Sequence, residues 1–103
     1  MSKYDKFVIY KIYLKENPEE CYIGSTINFS RRKSQHKKNI NNRVSKKYHY
    51  PLYQYIRALG GFDKFDIDIV ENFPCQTKQE GLNREKVLID IHKAKLNSIK
   101  PIK

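Results

Sequence analysis

Residues 7–14, FVIYKIYL, are apolar on both faces of a predicted β-strand. The two alternating sets are Phe7, Ile9 and Tyr13, and Val8, Tyr10, Ile12 and Leu14. A strand with two apolar faces needs cover on both sides, so we predict that it is the central strand of a sheet. Residues 15–20 follow as a predicted turn with Asn17-Pro18 as the breaker, and residues 21–24 form a return strand that completes a hairpin.

Two helices are predicted after the hairpin. Asn28 is a good N-cap for a helix over about residues 29–39. Residues 41–50 are polar and basic without periodicity, which favours a loop. Pro51 suits the first turn of a second helix, which the pair Gly60-Gly61 ends.

A third strand and a last helix complete the chain. The strand covers residues 65–71, with one apolar face and one acidic face: Phe65, Ile67 and Ile69 against Asp66 and Asp68. The helix covers roughly residues 77–94, although Gly81 weakens its first turns. The order β-β-α-α-β-α predicts an α/β (α+β) fold, and no linker divides residues 1–103, so we expect one domain.

Helical spacing places charged side chains on apolar faces. On the first predicted helix, one face carries Phe29, Arg32, His36 and Ile40. On the last helix, one stripe carries Leu82, Glu85, Ile89, His92 and Leu96, with Leu88 beside it. Charges at the edge of a core need partners. An ion pair between Arg32 and Glu85 with a purely structural role is one explanation, and a catalytic site is the other.

The charge indicates a polyanionic partner. The chain has 21 Lys and Arg against 11 Asp and Glu, a formal net charge of +10, and phosphate binding by such a chain is favoured by counterion release. No apolar run approaches the ~20 residues needed to cross a bilayer, and the N-terminus does not resemble a signal peptide, so we expect no membrane span and an intracellular protein. Cys21 and Cys75 form no CxxC pair, so neither zinc nor a disulfide framework is expected.

The motifs resemble the GIY-YIG nuclease family. Val8-Ile9-Tyr10 and Tyr22-Ile23-Gly24 are similar to its paired signature, with Val8 where the family has glycine. The ordered elements that follow, over roughly residues 8–101, place Arg32, His36, Glu85 and Asn97 at the family's motif positions. The resemblance implies a three-stranded antiparallel sheet flanked by helices, and hydrolysis of phosphodiesters in DNA with one divalent cation, Mg²⁺ or Mn²⁺.

The resemblance also implies a role for each residue. Tyr10 would take the proton of the attacking water or orient that water, which requires nearby positive charge to lower its pKa. Tyr22 would bind the water or the scissile phosphate, and Arg32 would clamp the non-bridging oxygens. His36 would relay a proton or support Tyr10. Glu85 would bind the metal, and Asn97 would attach the tail to the site.

We expect the basic loop and its flanks to bind the substrate, through Arg31, Lys33, Lys37, Lys38, Arg43, Lys46, Lys47 and the interleaved Tyr48 and Tyr50. The tyrosines could stack on bases of an unpaired strand. Three modes of action stay open: recognition of DNA structure, a short site read by a homodimer, and work within or beside a larger protein. A non-catalytic nucleic-acid-binding module and an RNA-binding protein are the competing functions.

Overall fold

The computed structural model describes residues 3–98 and has the predicted element order. Two short 3-10 helices, Phe62–Lys64 and Lys95–Ser98, accompany the main elements. The main elements are β1 (Val8–Leu14), β2 (Asn17–Thr26), α1 (Phe29–Asn41), α2 (Pro51–Ala58), β3 (Phe65–Asn72) and α3 (Lys78–His92).

The three strands form one antiparallel sheet in the order β2-β1-β3. The two-faced strand β1 is central, as its apolar pattern predicts, and Ile9, Tyr10 and Ile12 have no exposed surface. On one face, Tyr10 and Ile12 pack with residues of α1 and α2. On the other face, Ile9 packs with Leu88 of α3. The fold is therefore a three-stranded antiparallel sheet with three helices covering both faces.

The predicted turn over residues 15–20 is wrong in extent, because β2 already begins at Asn17. Leu14 lies opposite Asn17 while Tyr13 lies opposite Cys21, so residues 18–20 form a bulge in β2. Pro18 has no N–H to donate, and an edge strand with a bulge tolerates that loss. Pro18, which suggested a turn, thus marks a bulge in β2.

On β3 buried and less buried residues alternate as predicted over residues 65–68, but not beyond them. Phe65 and Ile67 are buried, as predicted. Ile69 lies opposite Tyr10 in the ladder, yet it is 43% exposed. The register of the β1–β3 ladder shifts between Ile9 and Tyr10, and β3 is the other edge strand, so Ile69 has less cover than residues at the centre of the sheet.

The helix ends follow the predicted caps. The Asn28 side chain accepts a hydrogen bond from the Arg31 amide and begins α1, which runs two residues past the predicted end. Gly60 and Gly61 follow α2 with φ of 115° and 101°, values that favour glycine. In α3, a Cβ on Gly81 would lie 2.3 Å from Cζ of Phe7. Close packing thus explains a glycine that weakens the helix.

The apolar stripe predicted for the last helix lies at the margin of its buried face. Gly81 and Leu88 are the buried residues of α3, while Glu85 and Ile89 are half-buried. Glu85 is therefore placed where solvent and a ligand can reach its carboxylate.

In the described part of the chain, Cys21 and Cys75 are buried free thiols, and no helix has the length and apolar character needed to span a membrane.

Candidate active site

A buried chain of hydrogen bonds joins β1, α1 and α2. The Tyr10 hydroxyl lies 2.7 Å from Nε2 of His36, and Nδ1 of the same ring lies 2.8 Å from the Tyr53 hydroxyl. Tyr10 has no exposed surface and His36 is 6% exposed. Both ring nitrogens of His36 therefore have phenolic partners, and the imidazole is held in one orientation.

Aromatic rings surround this chain. The ring of Tyr22, from β2, lies edge-on to that of His36 with centroids 6.3 Å apart. Phe29 lies 6.0 Å from the Tyr10 ring at a tilt of 54°. Gly24 belongs to the same wall, because a Cβ there would lie 2.6 Å from Cζ and from the hydroxyl oxygen of Tyr10. The second motif glycine is thus required by the close approach of the Tyr10 ring.

Burial sets the protonation of this cluster. It lowers the pKa of His36 to about 4, with smaller contributions from the charges of Arg32 and Lys47, so the ring is neutral at pH 7. We expected positive charge to lower the pKa of Tyr10. Arg32 does act in that direction, but burial is the larger effect and the pKa of Tyr10 is raised. The pKa of Tyr22 is also raised, first by burial and then by the charge of Glu85.

Arg32, and not Arg31, faces the site. Its Nη1 donates to the Ser25 carbonyl at 3.2 Å, which holds the half-buried guanidinium over the end of β2. Arg31 is the next residue along α1 and is exposed. Of the two neighbouring arginines, Arg32 is therefore the one that lies beside the end of β2.

Glu85 approaches from the opposite face of the sheet. One oxygen of its carboxylate accepts a hydrogen bond of 2.5 Å from the Ser25 hydroxyl. The ion pairs found among residues 3–98 are Arg84–Glu71 and Lys95–Glu20, so the structural Arg32–Glu85 pair is not formed. Ser25 links the two groups instead, through its carbonyl to Arg32 and its hydroxyl to Glu85.

The donors around Glu85 fit a hard divalent cation that keeps most of its water. A carboxylate is the ligand type that Mg²⁺ and Mn²⁺ prefer. In the described residues no group of three or more His, Cys, Asp or Glu side chains could enclose a metal. Mg²⁺ is commonly held by one or two carboxylates together with water and substrate phosphate, and Glu85 is the residue here that could provide such a carboxylate.

Asn97 ties the end of the chain to β2. Its Oδ1 accepts from the Ile23 amide and its Nδ2 donates to the Ile23 carbonyl, both at 2.8 Å. Because β2 is an edge strand, these backbone groups have no strand to pair with on that side. The asparagine amide takes the place of a neighbouring strand and fixes the segment between Tyr22 and Gly24.

Two adjacent cavities meet at Tyr22 and Arg32, which line both. The first has a volume of about 340 Å³ and includes His36 and Tyr53 in its wall. The second has a volume of about 440 Å³ and includes Glu85 in its wall. The two cavities form one cleft past the end of β2, and Tyr10 lies buried behind it. The other residues predicted as catalytic line the cleft: Tyr22, Arg32, His36, Glu85 and Asn97.

The basic residues predicted to hold substrate are distributed more widely. Lys47 lines the first cavity. The Tyr48 ring is covered by the Arg57 guanidinium, whose carbon lies 3.6 Å from the ring centroid, so one of its faces is already occupied. The others lie exposed along α1 and the loop after it: Arg31, Lys33, Lys37, Lys38, Arg43 and Lys46.

Sequence reasoning missed Ser25 and Tyr53. Ser25 directly follows the Tyr22-Ile23-Gly24 motif, and that adjacency is the signal that could have identified it. Tyr53 lies on the apolar face of α2 beside Leu52 and Ile56. In the sequence it cannot be told from an ordinary core aromatic residue.

Comparisons with known proteins bear on the family and the fold of this chain. Residues 6–98 match the family model of the GIY-YIG catalytic domain. Among solved structures, the chain is similar to the catalytic domain of the homing endonuclease I-TevI, with a TM-score of 0.72 and 25% sequence identity over 89% of this chain and 94% of that one. No protein of curated function matches the sequence. From the family match over most of its length, the chain belongs to the GIY-YIG nuclease family.

Proposed function

We propose that this protein is a divalent-metal-dependent endonuclease that hydrolyses phosphodiester bonds in DNA. The observation that carries the proposal is the convergence of Tyr22, Arg32 and Glu85 on one cleft, with the Tyr10–His36 pair directly beneath it. The similar solved structure is the catalytic domain of a homing endonuclease. That supports an endonuclease activity for this chain.

Arg32 is the group that binds the phosphate. Its guanidinium presents planar donors to the cleft while one of them is anchored on Ser25. Such a fork suits the non-bridging oxygens, on which negative charge gathers as the attacking oxygen bonds to phosphorus. Tyr22 lines the cleft beside it, and its hydroxyl orients the water or the phosphate.

The Tyr10–His36 pair accepts the proton that the attacking water loses. Because Tyr10 has no exposed surface and its hydroxyl lies behind Gly24 in the cleft wall, this transfer requires a small shift of that wall. The raised pKa keeps the Tyr10 hydroxyl protonated, so its oxygen can take a proton only if its own proton leaves. Nε2 of His36, at 2.7 Å, is the base that receives it. As the new P–O bond forms and the P–O bond to the leaving strand breaks, one proton thus moves into the pair, and the leaving oxygen takes up a proton from solvent water.

Glu85 is the residue that would hold the metal. Its carboxylate is kept in place by the Ser25 hydroxyl and faces the cavity shared with Arg32. A bound Mg²⁺ or Mn²⁺ supplies charge neutralisation at the phosphate and at the leaving oxygen.

The net charge of +10 supports a nucleic-acid substrate. The exposed lysines of α1 and the following loop extend away from Lys47, which lies at the cleft. Contacts of this kind fix the position of the backbone and are independent of base sequence. Binding to DNA is therefore expected to weaken steeply with salt.

The neighbouring arginines offer a matched test. Arg32→Ala removes the phosphate clamp, whereas Arg31→Ala removes an equal charge one residue away and outside the cleft. We expect the first variant to lose roughly a hundredfold or more in the rate of DNA cleavage in Mg²⁺, and the second to lose only part of its DNA affinity. Equal rates for the two variants would contradict the assignment. Binding without cleavage of any DNA by the native protein would support the non-catalytic module instead.

A further inference from the structure

The first cavity has features that the hydrolysis step does not use. It lies between α1 and α2, on the side of Tyr22 and Arg32 away from Glu85, and its volume of about 340 Å³ is within the range of small-molecule sites. Its walls combine apolar and polar side chains. The apolar part includes Leu52 and Leu96, which also belong to the core.

One wall is aromatic and open to a ligand. Tyr50 stacks on Tyr53 with the ring planes 5° from parallel and the centroids 6.0 Å apart. Tyr53 is buried, whereas Tyr50 is 50% exposed. A flat ring that lines a cavity and is stacked from behind is a platform on which another planar group can pack.

Polar groups edge the same cavity. Lys47, Gln35 and Asn39 line it. The Asn39 side chain accepts from the Ser45 hydroxyl and also hydrogen-bonds Tyr53, whereas the exposed Gln35 side chain presents an amide at the cavity edge. Amide side chains match the donors and acceptors on the edges of nucleobases, and a lysine matches the adjoining phosphate.

We propose that this cavity receives one unstacked nucleobase of the cleaved strand, next to the scissile phosphate. The preferred substrate is then DNA with an unpaired nucleotide at the cut, as in a bulge, flap or branch. This inference rests on the proposed nuclease function, because it places the phosphate at Arg32. The two tyrosines of the loop then have different roles. Tyr50 contacts the base, whereas Tyr48 is held by Arg57.

The energetic basis is the cost of removing a base from the helix. In a regular duplex, a base must be unstacked and unpaired before it can enter the cavity, and this cost is smallest for a base that is already unpaired. Stacking on an aromatic side chain then adds to binding whatever the base. We expect roughly tenfold or greater preference for a single-base bulge over the matched duplex.

The first experiment measures binding in chelator, so that it does not depend on cleavage. The probes are one DNA duplex, the same duplex with a single bulged 2-aminopurine, and the same bulge with an abasic residue. We expect the bulged base to bind best, with its fluorescence quenched by stacking, and the abasic bulge to bind as the plain duplex does. Equal affinity for the base and the abasic bulge would overturn the proposal, because bending alone would then explain the preference.

Variants identify the cavity as the source of the preference. Tyr50→Leu removes the ring and is expected to lose the preference and the quenching, while Tyr50→Phe keeps the ring face and should retain both. Val44→Ser, on the same loop and 88% exposed, is the matched control outside the cavity. Retained quenching in Tyr50→Leu would refute the assignment.

Cleavage of the same DNAs in Mg²⁺ separates the two proposals. If the bulged base binds preferentially but no DNA is cut, the nuclease proposal fails and the cavity assignment stands. If plain, bulged and abasic DNA are all cut at the same rate, the cavity assignment fails and the nuclease proposal stands.

Discussion

Tyr53→Phe removes one oxygen atom from the site and leaves the aromatic wall in place. The buried hydroxyl of Tyr10 has a proton that needs an acceptor. Arg32 lies close enough to lower the pKa of Tyr10, but a guanidinium can only donate. Nε2 of His36 is the acceptor at 2.7 Å, so the neutral ring carries its proton on Nδ1 and donates it to the Tyr53 oxygen. Tyr10 thus selects the tautomer that leaves Nε2 free to take a proton, and Tyr53 stabilises it by accepting from Nδ1–H.

The size of the effect follows from burial. His36 is 6% exposed, so Tyr53→Phe leaves a buried Nδ1–H without its partner. An unsatisfied buried donor costs about 1–3 kcal/mol. If that cost falls on the protonation state needed for reaction, the rate falls roughly fivefold to more than a hundredfold. Because the ring remains in the cavity wall, we expect kcat to fall with KM little changed.

The assay combines kinetics with a direct reading of the tautomer. Single-turnover cleavage gives the rate, and ¹⁵N chemical shifts of His36 report which ring nitrogen carries the proton. We expect Nδ1–H in the native protein and a mixture of tautomers in Tyr53→Phe. An unchanged tautomer together with an unchanged kcat would refute the proposed positioning role.

Two further predictions concern pH and packing. The pKa of His36 is lowered from its ordinary 6.5 to about 4, so below pH 6.5 the unfolded chain binds a proton that the folded chain does not. Stability should therefore fall as pH drops from 6.5 to 4, by roughly 3 kcal/mol from this group; urea unfolding of His36→Gln should lose that part of the pH dependence, and identical profiles would contradict it. Gly24→Ala places a methyl group 2.6 Å from the Tyr10 hydroxyl oxygen, so the ring must shift. We expect a loss of about 1–3 kcal/mol in urea unfolding with a larger loss of cleavage, whereas full activity would show that the position of Tyr10 is not critical.

Local patterns predicted the secondary-structure elements and which residues share one face of an element. The two-faced apolar pattern of residues 7–14 placed β1 at the centre of the sheet, as the structure confirms. The four-residue spacing of Arg32 and His36 placed both on one face of α1. These features depend on the period of one element, which a sequence contains in full.

The remaining features depend on contacts between distant segments. Glu85 reaches the site from the α3 side of the sheet, and helical periodicity does not say which side a helix covers. Tyr53 was one of eight tyrosines with no distinguishing neighbour. The bulge at Pro18 was mistaken for a turn because a proline breaks both kinds of backbone pairing, and only the ladder with β1 separates them.

The most direct test of the account is the metal dependence of DNA cleavage with Glu85 removed. Native protein, Glu85→Ala and the control Asp90→Ala, an exposed carboxylate on the same helix, are compared in Mg²⁺, Mn²⁺ and chelator, with folding checked by circular dichroism. We expect the native and control proteins to cut only with metal, and Glu85→Ala to be roughly a hundredfold or more slower. Cleavage in chelator, or native rates in a folded Glu85→Ala, would contradict it.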